Sequence, residues 1–116
     1  MDLGGRMKEL RNEKKVLQKE LAAVLKVSIG TVCNYENNVH FPDGDTLCKI
    51  AEYFDVSVDY LLKRTDYRSS LKELNREICP GYPISKLVNK IVSLDPQVQN
   101  EARQYVEYLE YIRTKE

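Results

Sequence analysis

Between residues 6 and 63 the apolar positions recur three and four apart in short runs divided by polar turns, the period of amphipathic helices. Met7 and Leu10 share one face of a predicted helix over residues 6–13. Leu21, Ala22 and Leu25 share a face of the next, and Val32 and Tyr35 a face of a third. The break between these two falls at Lys26-Val27-Ser28, with Val27 in the turn. Ser28 suits an N-cap, because its hydroxyl can accept from a free amide of the following turn. Ala22 is small where the following helix must cross closely. A polar loop, Asn37-Asn38-Val39-His40-Phe41-Pro42, comes next. Asp43 then caps a helix bearing Leu47, Ile50, Ala51 and Phe54, and Ser57 caps another over residues 58–63 bearing Leu61 and Leu62.

Beyond Asp66 the pattern changes, which divides the chain into residues 1–66 and 67–116. Ser70 caps a short predicted helix carrying Leu71, Leu74 and Ile78. Cys79-Pro80-Gly81-Tyr82-Pro83 then forbids a continuous helix. Residues 84–92 resume one, with Leu87, Val88 and Ile91 inward. Asp95 as cap and Pro96 at the first helical position open a last helix reaching almost to Glu116. Its apolar positions Val98, Ala102, Tyr105, Leu109 and Ile112 are spaced 4, 3, 4, 3, a heptad-like stripe of about two repeats. Such a stripe can pack on residues 84–92 or pair two chains, and the expectation is a dimer through the helices between 71 and 116. Tyr105, Tyr108 and Tyr111 are not read as a base-stacking platform, since Tyr105 lies in the stripe and no basic cluster surrounds the others.

Two helices meeting at a tight turn over residues 18–37 have the form of a helix-turn-helix, whose second helix can enter the DNA major groove. More elements agree in register. Arg6-Met-Lys-Glu-Leu-Arg11, Gln18-Lys-Glu-Leu-Ala22, Val27-Ser28, Thr31-Val32, Tyr35-Glu36, Pro42, Thr46-Leu47 and Val56-Ser-Val-Asp-Tyr-Leu-Leu62 strongly resemble the DNA-binding domain of the phage Cro/repressor family, the xenobiotic-response-element type of regulator. The resemblance covers roughly residues 3–66, about half the chain. It implies an all-α protein: a five-helix lambda-repressor-like domain followed by a C-terminal helical dimerisation segment. It also implies a sequence-specific transcriptional regulator, a repressor acting as a homodimer on an inverted-repeat operator in double-stranded DNA. No cofactor is implied, and a protein or small-molecule effector stays open.

The resemblance assigns roles residue by residue. Ser28, Ile29, Gly30 and Asn34 face the bases. Asn34 can pair bidentately with adenine, and Ile29 suits either a thymine methyl or a protein interface. Gly30 supplies no reading group and lets the backbone approach DNA closely. Gln18, Lys19, Thr31, Asn37 and Asn38 match positions that touch the sugar-phosphate backbone, and Gln18 also braces the reading helix. Arg11 and Glu36 match a scaffold ion pair that fixes that helix. The chain departs from the pattern in three places: Lys15 stands where a helix-ending Gly is usual, Leu17 where a Ser or Thr would cap, and Asn38 in place of Gly. Asn tolerates the left-handed backbone that such a helix end needs.

Charge changes the picture. The chain carries 18 basic and 18 acidic residues, whereas DNA-binding domains usually show a basic footprint. The positive charge is local: residues 1–26 hold seven Lys and Arg against four Asp and Glu, a net of +3. Acids gather from Asp43 to Asp66, so moderate non-specific affinity and a modest salt slope are expected. Cys33, Cys48 and Cys79 form no CxxC pair and have only His40 as a companion, which argues against zinc and for free thiols, with Cys48 in the core. No apolar run spans a membrane and no secretory leader appears, so a cytoplasmic protein is expected. No base–orienter pair accompanies any Ser or Cys, and no glycine-rich phosphate loop is present, so no enzyme is expected. Two further readings stay open: the antitoxin of a toxin–antitoxin pair, or an interaction module that has lost DNA binding.

Overall fold

The computed structural model describes residues 3–115 and falls into two compact units that divide between Leu71 and Lys72. The first holds five α-helices: α1 (Leu3–Glu13), α2 (Gln18–Leu25), α3 (Ile29–Glu36), α4 (Gly44–Phe54) and α5 (Val58–Leu61). Met7, Leu10, Leu21, Leu25, Val32, Ile50, Phe54 and Leu61 are fully enclosed in one continuous apolar core. The predicted caps form as the hydroxyl and carboxylate chemistry requires. Ser28, Asp43 and Ser57 each accept the amide three residues on, from Thr31, Thr46 and Tyr60. Leu17 precedes α2 in extended conformation with no side-chain cap.

Three details correct the sequence reading of this unit. Helix α1 begins at Leu3 rather than residue 6, because Leu3 and Gly4 are themselves buried. Cys48 is exposed rather than core; it lies about 100° around α4 from Leu47, outside the arc of Ile50, Ala51 and Phe54. Helix α5 stops at Leu61, and Leu62 is already its cap.

Each of the five helices is followed by a residue with left-handed backbone: Lys15, Lys26, Asn38, Asp55 and Lys63, with φ between 53° and 60°. The hydrogen bonding is the same at every end. The left-handed residue donates three residues back, as Lys26 does to Ala23, and its successor donates five back, as Val27 does to Ala22. This is the Schellman closure, which satisfies carbonyls the helix leaves unpaired.

The second unit contains a 3-10 helix (Leu71–Asn75), a two-stranded antiparallel hairpin, β1 (Glu77–Cys79) with β2 (Tyr82–Pro83), then α6 (Ile84–Ser93) and α7 (Pro96–Thr114). The predicted helix through Ile78 is therefore replaced by a 3-10 turn and a strand. Pro80 and Gly81 explain the change: Gly81 sits at φ 79°, as the third residue of a type II turn between the strands. Asp95 caps α7 by accepting from the Val98 amide, with Pro96 in the first turn, as predicted. No residue from 72 to 115 is buried.

Candidate nucleic-acid interface

Helix α3 is held by a side-chain cluster built from three helices. Arg11, in the last turn of α1, donates through Nε to Glu36 Oε2 at 2.8 Å and through Nη2 to Glu36 Oε1 at 3.2 Å. Gln18, opening α2, donates its Nε2 to the same Oε1 at 3.0 Å. Arg11 Nη1 also reaches the Val16 carbonyl at 3.0 Å, tying the α1–α2 turn into the cluster. The Glu36 side chain is 1% exposed and that of Arg11 15%, so the carboxylate has these donors in place of water. A charge buried this deeply is tolerated only when it is fully paired.

Backbone contact fixes the other side of α3. Gly4 lies so close to its last turn that a Cβ there would meet the Tyr35 carbonyl oxygen at 2.7 Å and the Glu36 carbonyl closer still. The Gly4 amide in turn donates to Asn38 Oδ1 at 3.1 Å, serving a donor that the first turn of α1 leaves unpaired. Neither contact was foreseen. The available signal was a glycine pair, Gly4-Gly5, ahead of an amphipathic run.

The outward face of α3 carries the side chains singled out from sequence. Ser28, Ile29 and Gly30 are exposed, and Ile29, at 52%, is covered by nothing in its own unit. Asn34 is half-buried, and its carbonyl accepts the amides of Val39 and His40, which folds the following loop back over the helix end. Ser28 and Thr31 pair their hydroxyls at 2.8 Å as part of the cap. Asn37 donates its amide to Cys33 Sγ at 3.3 Å. Asn38 has φ 60°, the left-handed conformation anticipated for it, and its oxygen is turned to Gly4. Lys19, in the first turn of α2, and Lys26, in the turn before α3, are both exposed on the elements flanking this face. Among the described residues, no group of three or more His, Cys, Asp or Glu is placed to hold a metal ion, and Cys33, Cys48 and Cys79 are free thiols. No helix among them is long and apolar enough to cross a membrane.

The predicted stripe on α7 is uncovered: Val98, Tyr105, Leu109 and Ile112 are exposed and Ala102 is half-buried. Val106, outside the predicted stripe, lines one groove with Ala102 and with Ile91 of α6.

Comparison with known proteins accords with this geometry. The helix-turn-helix family profile matches residues 7–61. The HTH-type transcriptional regulator ImmR of Bacillus subtilis is 41% identical over 66 residues, which are 57% of this chain. This chain spans only 52% of that relative's length. The P22 c2 repressor, solved with a synthetic operator, is 28% identical with a TM-score of 0.53, covering 56% of this chain and 98% of that one. A transcriptional regulator from Listeria innocua, 18% identical with a TM-score of 0.54, shares the fold over 95% of this chain and 94% of its own. With α3 seated on α1 and α2 as a helix-turn-helix requires, residues 7–61 form a helix-turn-helix domain of the Cro/repressor type.

Proposed function

We propose that the chain is a sequence-specific DNA-binding repressor that acts as a homodimer on an inverted-repeat operator, most simply by occluding polymerase. The observation that carries DNA reading is the fixed outward face of α3. The buried Glu36 and its donors immobilise the helix, while Ile29 and Gly30 are exposed and Asn34 is half-buried beside them. Asn34 pairs with an adenine edge, Ile29 packs on a thymine methyl, and Gly30 lets the backbone come close. Gln18, Lys19, Thr31 and Asn37 meet the sugar-phosphate backbone, where positive charge and helix N-terminal amides favour phosphate. Asn38 lies beside them, its side-chain oxygen serving Gly4 and its amide serving the Tyr35 carbonyl.

Dimerisation is supported by the second unit. A segment of this size with no buried residue has no core of its own, and units this small need a partner or a staple to hold their shape. A second copy laid on the apolar face of α6 and α7 supplies that core, with Val98, Ala102, Leu109 and Ile112 at its centre. Two reading helices then address half-sites about 34 Å apart.

The test is light scattering of the full chain, followed by selection from a random duplex library at two salt concentrations. A dimeric mass, a paired motif and affinity that falls with salt are expected. Asn34→Ala should lose about 1–3 kcal/mol of discrimination at one base pair per half-site while leaving the thermal midpoint unchanged. A monomer, or a pool with no motif at low salt, rejects the reading and favours a protein-interaction module, for which the exposed Ile29 is the relevant surface.

A further inference from the structure

The connection between the two units is fastened to the first of them near its far end. The Ser57 amide donates to the Arg68 carbonyl at 2.9 Å, and the Ser57 hydroxyl to the Tyr67 carbonyl at 3.5 Å. The Arg68 guanidinium grips Glu13, the last residue of α1, through two bonds of 2.8 and 3.5 Å. It also lies 5.4 Å from the centre of the Tyr60 ring, over which Arg6 packs at 3.8 Å. Ser57 and Tyr60 are buried, so part of the strap is anchored on the core, while the Arg68 and Glu13 side chains are each about half exposed. Isolated surface ion pairs contribute little, but here a two-pronged pair, a cation–π contact and a backbone hydrogen bond converge on one residue. The hydrogen bonds from Arg68 hold the Glu13 carboxyl below its ordinary range.

We propose that Arg68 is a positioning residue for operator spacing: its clasp on Glu13 and Ser57 fixes where the chain leaves the reading unit and so restricts a dimer to one half-site separation. The inference rests on the dimeric DNA-binding reading above. With the clasp closed, only Ser69 and Ser70 lie between Arg68 and the 3-10 turn at Leu71, a stretch of at most about 7 Å. With it open, the connection begins after Arg64, whose amide stays bonded to the Asp59 carbonyl, and residues 65–70 reach about 13 Å as a coil. The difference, about 6 Å, is roughly two base pairs at a rise of about 3.4 Å. Lengthening the connection about threefold lowers the effective concentration of the second reading unit about fivefold, by the three-halves power of length.

The experiment uses the full chain, Arg68→Ala and Glu13→Gln, each selecting duplexes from a random-sequence library, with hydrogen exchange followed at the Ser57 amide. The wild type should enrich paired half-sites at one separation. Both variants should enrich the same half-site at separations spread over about two base pairs, bind the wild-type pair roughly fivefold more weakly, and bind a single half-site unchanged. Arg68→Ala should also speed exchange at Ser57. Variants that keep the single wild-type separation overturn the proposal, whether or not the Ser57 amide is released. A wild-type pool of unpaired half-sites overturns it differently, because there the dimer reading itself has failed.

Discussion

Removing Arg11 tests whether the reading helix is held by a buried charge or merely decorated by one. In Arg11→Ala, Glu36 loses donors at 2.8 and 3.2 Å and, among the described residues, keeps Gln18 at 3.0 Å, while the Val16 carbonyl loses its donor at 3.0 Å. With the Glu36 side chain 1% exposed, water cannot replace the guanidinium without opening the packing of α1 on α3. Stranding one partner of a buried pair costs about 3–5 kcal/mol. The lower figure is the expectation, since Gln18 remains and Arg11 itself touches solvent. In a domain this small, about 3 kcal/mol moves the thermal midpoint down by roughly 12–24 °C. Glu36→Gln should cost less, about 1–2 kcal/mol, because the amide oxygen still accepts from Arg11 and the arginine can turn to water. Urea unfolding of the full chain, followed by circular dichroism, measures both variants. Replacing both charges, Arg11→Met with Glu36→Leu, should recover most of the loss, as a well-packed apolar pair commonly does. A cost for Arg11→Ala below about 1 kcal/mol, the range of exposed ion pairs, refutes the argument. So does a Glu36→Gln variant that is as unstable as Arg11→Ala.

Three further outcomes are expected. Gly4→Ala should destabilise by about 1–3 kcal/mol in thermal melts, although Ala is the better helix former, because its methyl meets the backbone of Tyr35 and Glu36. Lys15→Gly should raise stability by about 1 kcal/mol, since φ 55° strains any residue with a Cβ; a neutral result means the turn relaxes instead. The Asp43 carboxyl is held below its ordinary value by the Thr46 amide and then the Thr46 hydroxyl. A depressed folded value means the cap contributes fully above the unfolded value and is lost as pH falls through the folded one. Melting wild type and Asp43→Asn from neutral to acid pH should therefore show a gap that is constant above the ordinary carboxylate range and changes as pH falls through and below it.

Most of the first unit was legible because its signals are local. Leu21, Ala22, Leu25 and Val32 keep helical period, and Ser28, Asp43 and Ser57 are capping residues followed by apolar runs. The Arg11–Glu36 pairing was reached only through family resemblance, since nothing in spacing relates residues 25 apart. The clash-distance approach of Gly4 to α3 is likewise a long-range contact, and a glycine near a chain start reads locally as a weak helix former. In the second unit the proline and glycine at 80 and 81 were read as a break, which they are; the hairpin they create was missed because its strands are only three and two residues long. Strands so short carry no alternation that distinguishes them from a loop.

The helix ends show why a search for glycine under-reads this chain. All five helices of the first unit close through a left-handed residue, and none of the five is glycine. A left-handed backbone crowds the Cβ of lysine, so Lys15, Lys26 and Lys63 each carry about 1–2 kcal/mol of strain. Asn38 and Asp55 tolerate the conformation better. The compensation lies one residue further on. Val16, Val27, Val39 and Val56 follow four of the five left-handed residues, and each donates its amide to a carbonyl five residues back. Val56 is buried, and Val16 and Val27 pack against the core. Burying a valine side chain offsets strain of this size, at about 1.5–3 kcal/mol when complete. A polar residue followed by valine after an amphipathic run therefore carries the same instruction here that glycine carries elsewhere. The exposed Val39 is the exception, and it follows α3, where Asn38 closes the turn by binding Gly4 instead. The end of the reading helix is thus fixed by a polar contact to α1 rather than by a core valine, which leaves the surface beyond it free of any packing demand.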